Sequence, residues 1–351
     1  MSSTFQDTER NIEFEFVRAT ENAALNSIHW LGRGNKEAAD AAACDAINGV
    51  FDNVDIRGEV VIGEGIKDNA PGIFLGDKLG KWSENAPRFD IALDPIDGTS
   101  NIAKGLPNSI SVMAATHVPE GSTRGMIHIP SFYCEKLAYG PAVREAIAAT
   151  RIPPVSLLMD FAEVMTYAAA ALNKRISDLV IVVLDRPRNQ KYVEIVRSQG
   201  AALRLISDGD IAAAVAPSLP DSGVDLYIGI GGAPEGILTA AALKALGGEL
   251  HLRMWPRDEP ERTELLKSVS EADLARHYDT DGLLLGESAI FCATGISDSP
   301  LLPGVKLVGN TATTHSILMR ARSQTVRYIR AVHNLTNKTI HLRSIDRESG
   351  V

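Results

Sequence analysis

Asp90-Ile91-Ala92-Leu93-Asp94-Pro95-Ile96-Asp97-Gly98-Thr99 carries the most structural information in this chain. Asp90 to Asp94 alternates apolar with small or polar residues, the period-two pattern of a strand. Pro95 to Thr99 then reads as a turn leading into a helix. Upstream, Gly58-Glu59-Val60-Val61-Ile62-Gly63-Glu64-Gly65 places β-branched residues before a glycine-flanked acid, which predicts a second strand presenting Glu64 at its end. Glu64, Asp94 and Asp97 thus emerge from apolar runs, where solubility does not require them. Clustered carboxylates raise one another's pKa and call for a cation. Oxygen ligands of this hardness suit Mg²⁺ or Mn²⁺ rather than Zn²⁺. Gly98 and Thr99 offer backbone N–H groups and a hydroxyl beside a helix start, a favourable place for phosphate. Taken without further context, Asp94 and Asp97 could equally cap a turn and a helix.

Working outward, about Glu9 to Leu31 reads as a helix, closed by Gly32 and Gly34, and a second begins near Asn35 and continues through the alanine-rich Ala38–Val50. Asp40 projects from it among small residues. Ser109–Thr116 and Arg124–Ile129 read as strands of a meander. Arg151-Ile152-Pro153-Pro154 reads as a weak boundary, after which helices alternate with buried strands at 179–185, 203–207 and 224–229. The expected organisation is α/β in two closely joined lobes, residues 1–150 and 151–335, followed by a basic tail at 336–351. Seven Lys or Arg against two acids from Met319 onward read as a solvated terminal segment.

The 351 residues carry a formal net charge of −9, which speaks against a general nucleic-acid binder but not against an anionic substrate held in a local cationic pocket. Three scattered cysteines (Cys44, Cys134, Cys292) without a CxxC spacing fit a reducing compartment. With no apolar run of membrane-spanning length and a polar N-terminus, no membrane association is expected and the cytoplasm is the expected location. Gly229-Ile230-Gly231-Gly232 fails as a dinucleotide fingerprint because Pro234 stands where the third glycine belongs. The eight histidines show no metal-ligand spacing.

Asp94-Pro95-Ile96-Asp97-Gly98-Thr99 resembles the Asp-Pro-Ile/Leu-Asp-Gly-Thr motif of the lithium-sensitive, metal-dependent sugar phosphatases, a group that includes inositol monophosphatases and fructose bisphosphatases. Further segments are similar to the class II (GlpX-type) fructose-1,6-bisphosphatases: Trp30 to Asp40, Val61 to Gly65, Tyr133 to Leu137, Asp185 to Arg188, Ser207 to Asp210, Gly229 to Gly236 and Phe291 to Ile296. Together they span roughly residues 9 to 335. The resemblance implies a layered α-β-α-β-α sandwich and a homo-oligomer, dimer or tetramer. It implies that Asp40, Glu64, Asp94, Asp97 and Glu235 hold Mn²⁺ or Mg²⁺, that Thr99 orients the attacking water, and that Asp97 and Glu64 share in catalysis. It implies that Lys36 is a cation near the reacting phosphate. Asp97, Gly98, Thr99, Tyr133, Arg186, Pro187, Arg188, Asp208, Gly209, Asp210 and Gly232 would then line a sugar-bisphosphate pocket. Read alone, Arg186 and Arg188 are surface charges, Asp208-Gly209-Asp210 is a turn with a helix cap, and Glu235 complements a helix dipole. Asn35 and Asn189 depart from the family, which often carries an acid and a histidine there, and Asp97 is a Glu in some members. The implied reaction is hydrolysis of the 1-phosphate of fructose 1,6-bisphosphate. Rival substrates or roles are sedoheptulose 1,7-bisphosphate, an inositol-type monophosphate (disfavoured by the Arg186/Arg188 pair) and a non-catalytic sugar-phosphate sensor.

Overall fold

The computed structural model describes residues 7–63 and 72–343. Two mixed sheets are stacked with helices outside and between them. The first sheet has the order β12-β13-β11-β4-β3-β1-β2 with β14 on the free side of β13. Its strands are β1 (Arg57–Ile62), β2 (Lys78–Leu79), β3 (Arg88–Asp97), β4 (Ile110–His117), β11 (Ile290–Gly295), β12 (Lys306–Val308), β13 (Thr311–Arg320) and β14 (Thr325–Asn334). The second has the order β10-β9-β5-β8-β6-β7. It contains β5 (Tyr133–Tyr139), β6 (Val180–Leu184), β7 (Ala202–Ile206), β8 (Leu226–Gly232), β9 (Glu249–Met254) and β10 (His277–Tyr278).

Period-two alternation distributes each strand between two cores. On β3, Ile91 and Leu93 pack under α1 (Thr8–Ser27) and α2 (Lys36–Phe51), while Ala92 faces the centre of the molecule. On β8, Leu226 and Ile228 face an outer core with α4 (Pro141–Ala148), α5 (Phe161–Leu172) and α6 (Gln190–Ser198), while Tyr227 points centrally. Between the sheets lie α7 (Asp210–Val215) and α8 (Ala233–Leu246). Helix α8 is apolar or small nearly all round, as a helix buried on every side must be. A Cβ at its Gly236 would lie 2.3 Å from Leu252 Cδ1, so a larger residue there would require the Leu252 side chain to move. The layers are therefore α-β-α-β-α. Short helices α3 (Thr99–Lys104), α9 (Glu259–Leu265), α10 (Glu271–Leu274) and α11 (Thr280–Leu283) complete the described chain. None of its helices is long and apolar enough to cross a membrane.

Four details depart from the sequence reading. Strand β3 does not end at Asp94; it runs on to Asp97, with a register shift against β4 between Asp94 and Asp97. The imide of Pro95 falls inside that irregularity, where no ladder N–H is needed. Arg124–Ile129 is not a strand: only Met126 forms an isolated bridge, to Leu284, while Gly125 and Met126 donate their N–H groups to Asp90 Oδ2 (2.6 and 3.2 Å). The sheets do not divide the chain at Pro153–Pro154. Residues 133–139, before that point, belong to the second sheet, and residues 290–334, after it, return to the first. Finally, Met319 to Asn334 is not a solvated segment but part of the β13–β14 hairpin, and Arg320 is buried beneath α1.

Candidate active site

The site is assembled where several strands end. Asp94 and Asp97 lie at the end of β3, Arg186 and Arg188 just beyond β6, Asp208 and Asp210 just beyond β7, and Gly232 closes β8 ahead of Glu235 on α8. Loops at carboxyl ends of strands are the usual binding positions of α/β sheets. A cavity of about 1100 Å³ opens there. It is lined by Asp40, Asp94, Asp97, Gly98, Thr99, Tyr133, Arg186, Arg188, Asp208, Asp210, Gly232 and Glu235, so the structure gathers these twelve expected residues at one place.

Two loops distant in sequence are stitched together to make its acidic wall. Gly98 (φ +94°) and Gly209 (φ +79°) both adopt the left-handed conformation, and a Cβ on either would lie 2.5 Å from Asn108 O. Asn108 donates to Asp208 O (2.6 Å) and Gly209 O (3.0 Å), while Ser207 Oγ donates to Asn101 Oδ1 (3.0 Å). Asp97 Oδ2 accepts from Ile211 N (3.2 Å), and Asp208 Oδ2 accepts from Ser100 N (3.1 Å). That last bond uses the N–H of Ser100, the residue after the Gly98 and Thr99 whose N–H groups are expected to meet a phosphate.

Electrostatics at this wall are unusual. Asp97 is 4% exposed, and burial first, then the carboxylates of Asp94, Asp210, Glu235 and Asp208, hold its pKa well above the ordinary range. Burial and the charge of Asp210 raise Glu235 as well, with Lys136 opposing. Lys136, which the sequence did not single out, is 1% exposed and places Nζ 2.9 Å from Asp210 Oδ2. Arg188, also lining the cavity, donates from Nε to Ile230 O (2.9 Å), and its guanidinium lies 4.2 Å from the centre of the Tyr133 ring. Arg257 also lines the cavity, stacked 5.1 Å over Phe132, and was not anticipated either. Arg186 is anchored by its own neighbour, Nη1 donating to Asp185 O (3.0 Å).

Three expected residues stand apart. Lys36 does not line the cavity; its ammonium is more than half exposed, 3.8 Å from Glu37. Pro187 and Gly209 shape their loops without lining the cavity. Glu64 lies outside the described residues. The two asparagine departures have structural work. Asn35 caps α2 by accepting from Ala38 N (3.0 Å). Asn189 is buried, donating to Leu184 O (2.9 Å) and accepting from Ile230 N (2.6 Å).

The profile of the glpX-encoded bacterial fructose-1,6-bisphosphatases matches residues 10–333, nearly the whole chain. The chain belongs to this family. It is 38% identical over 337 residues to the class 2 fructose-1,6-bisphosphatase of Haemophilus influenzae, covering 93% of this chain and 97% of that protein. It is likewise 38% identical over 340 residues to fructose-1,6-bisphosphatase 1 class 2 of Escherichia coli K12, covering 94% of this chain and 97% of that one.

Among the described residues no three His, Cys, Asp or Glu side chains are gathered into a ready-made ion cage. The donor set nonetheless fits a hard divalent cation. It is all carboxylate, two of its members are buried with raised pKa values, and Glu235 Oε2 is buried without a hydrogen-bond partner.

Proposed function

We propose that this protein hydrolyses the 1-phosphate of fructose 1,6-bisphosphate, giving fructose 6-phosphate and phosphate, with Mg²⁺ or Mn²⁺ as cofactor. The observation that carries the reading is one cavity lined both by carboxylates (Asp40, Asp94, Asp97, Glu235) and by guanidinium groups (Arg186, Arg188). A monophosphate needs no second cationic wall. Asp40, Asp94, Asp97 and Glu235, together with Glu64, would hold the metal. When bound, such an ion neutralises phosphoryl oxygens and lowers the pKa of a coordinated water.

The chain's own groups divide the remaining tasks. Thr99, half-buried at the start of α3, orients the attacking water with its hydroxyl. Arg186 and Arg188 fork onto the distal phosphate, and the stacking of Arg188 on Tyr133 fixes its plane before substrate arrives. Asp208 and Asp210 accept hydrogen bonds from sugar hydroxyls. The three cysteines, all buried and none in a disulfide, support a reducing, cytoplasmic setting.

Phosphate release from a panel of sugar phosphates tests the proposal. Fructose 1,6-bisphosphate should be cleaved with Mg²⁺ or Mn²⁺, not after EDTA, and far faster than fructose 1-phosphate or inositol 1-phosphate. Preference for sedoheptulose 1,7-bisphosphate would move the substrate while keeping the chemistry. No hydrolysis with either metal would leave a sugar-phosphate sensor.

A further inference from the structure

We infer that Lys136 and Tyr227 form a positioning pair that fixes the Asp210 carboxylate for a substrate hydroxyl. The inference rests on the reading of Asp210 as a sugar ligand given above. In the register of β5 against β8, Ala138 lies opposite Tyr227 and Lys136 opposite Gly229. The side chains of Lys136 and Tyr227 therefore rise from the same face of the second sheet, two residues apart in register. Both reach one atom: Lys136 Nζ donates to Asp210 Oδ2 at 2.9 Å, and Tyr227 Oη donates to the same oxygen at 3.2 Å. Beside them Gly231 makes room, since a Cβ there would lie 2.0 Å from Oδ2 and 3.3 Å from Nζ. Two donors on one oxygen fix the rotation of the carboxylate. Asp210 nevertheless lines the cavity, so Oδ1 is the oxygen left to accept from a ligand.

Stability alone does not account for this arrangement. Burying an ammonium, a phenol and a carboxylate is rarely better than packing apolar groups of similar volume. The central core around them is otherwise mostly apolar and already contains Met and Phe side chains such as Met126, Met254 and Phe291. What the polar trio supplies is direction, holding a negatively charged acceptor at the cavity wall in a single orientation. Lys136 also lies near Glu235, so its removal disturbs more than Asp210. Tyr227 is the cleaner probe, because its hydroxyl contacts Asp210 and the ring survives as Phe.

Tyr227→Phe, Lys136→Met and Asp210→Asn are compared with wild type by steady-state kinetics and by calorimetric binding of fructose 6-phosphate, with circular dichroism to check folding. Loss of one positioning hydrogen bond should raise KM and the fructose 6-phosphate Kd of Tyr227→Phe together by about three- to tenfold, with kcat within about twofold. Lys136→Met should shift binding further in the same direction, and Asp210→Asn at least as far as Tyr227→Phe. If Asp210→Asn weakens binding but Tyr227→Phe does not, the positioning inference fails while the sugar-ligand reading stands. Wild-type binding by a folded Asp210→Asn overturns both. A fall in kcat with unchanged KM in Tyr227→Phe also overturns the inference, by placing the pair in the chemical step. Should Lys136→Met not fold, Tyr227→Phe decides.

Discussion

Beneath α1, Asp7, Glu9 and Glu13 are answered by cations from the same chain, whereas at the cavity Asp97, Asp208, Asp210 and Glu235 share, among the described residues, one buried ammonium, that of Lys136. Arg320 lies 2.7 Å from Asp7, 3.2 Å from Glu9 and 3.2 Å from Glu13, and Arg327 stands 3.6 Å from Glu13. The consequence is visible in one residue type. The Arg320 guanidinium holds Asp7 below the usual carboxylate range, while burial among like charges pushes Asp97 far above it. A cluster neutralised internally ties α1 to the β13–β14 hairpin. A cluster left in excess is a receptor for positive charge brought from outside. Removing charge should therefore have opposite effects on stability in the two places.

The largest effect is expected from Arg320→Met, which leaves Glu9 buried without its cation and Glu13 with only the longer contact to Arg327. Such breakage costs about 3–5 kcal/mol. Chemical denaturation should show that loss, with kcat of the folded fraction at the wild-type level; a loss below about 1 kcal/mol would break the comparison on its structural side. Asp97→Asn should do the reverse. Activity falls by about 100-fold or more, as loss of a metal-site partner does, yet the Tm of the chelator-treated protein rises because one repelled carboxylate is gone. A lowered metal-free Tm would show that Asp97 is stabilising where it stands.

How far these contrasts could be read in the sequence depends on the range of each interaction. Strand β3 and the acids at its end were legible, because alternation and a six-residue motif are local. The cavity's acidic and arginine walls were legible only through resemblance, since nothing in Asp208-Gly209-Asp210 itself distinguishes a sugar ligand from a helix cap. Lys136 was missed because it sits in an ordinary strand and its partner is 74 residues away. Arg320, read as part of a solvated end, finds Glu9 across 311 residues. Arg124–Ile129 looked like a strand because the side-chain acceptor that takes its N–H groups, Asp90, is likewise remote. Lys36, expected beside the phosphate, does not line the cavity and has its ammonium 3.8 Å from Glu37.

Smaller changes sharpen the functional side. Thr99→Ala removes a hydroxyl without altering formal charge, so substrate and metal should still bind while kcat falls about 100-fold. Thr99→Ser should restore much of it, and kinetics on both variants separate an oriented water from a merely structural helix start. Arg188→Ala should raise KM for fructose 1,6-bisphosphate about tenfold with metal affinity unchanged. An unchanged KM would place the distal phosphate elsewhere, with Arg257 the next guanidinium to test.

The smallest effect concerns acid. Because its folded pKa is depressed below the ordinary 3.8, Asp7 adds stability that is present above that value and is lost as pH falls through the lowered one. Asp7→Asn should accordingly be less stable than wild type at pH 6, with the gap closing below about pH 4. A gap that persists unchanged at pH 2 would mean that Asp7 acts by packing and not by charge.

Calorimetric titration of Mn²⁺ into chelator-stripped protein, run in parallel on wild type, Asp97→Asn and Asp7→Asn, tests most directly the claim that one acidic cluster awaits a cation and the other does not. Wild type and Asp7→Asn should bind saturably with the same affinity, and Asp97→Asn at least about tenfold more weakly. Equal binding by all three, or no binding to a wild-type protein that still hydrolyses fructose 1,6-bisphosphate, would contradict the account.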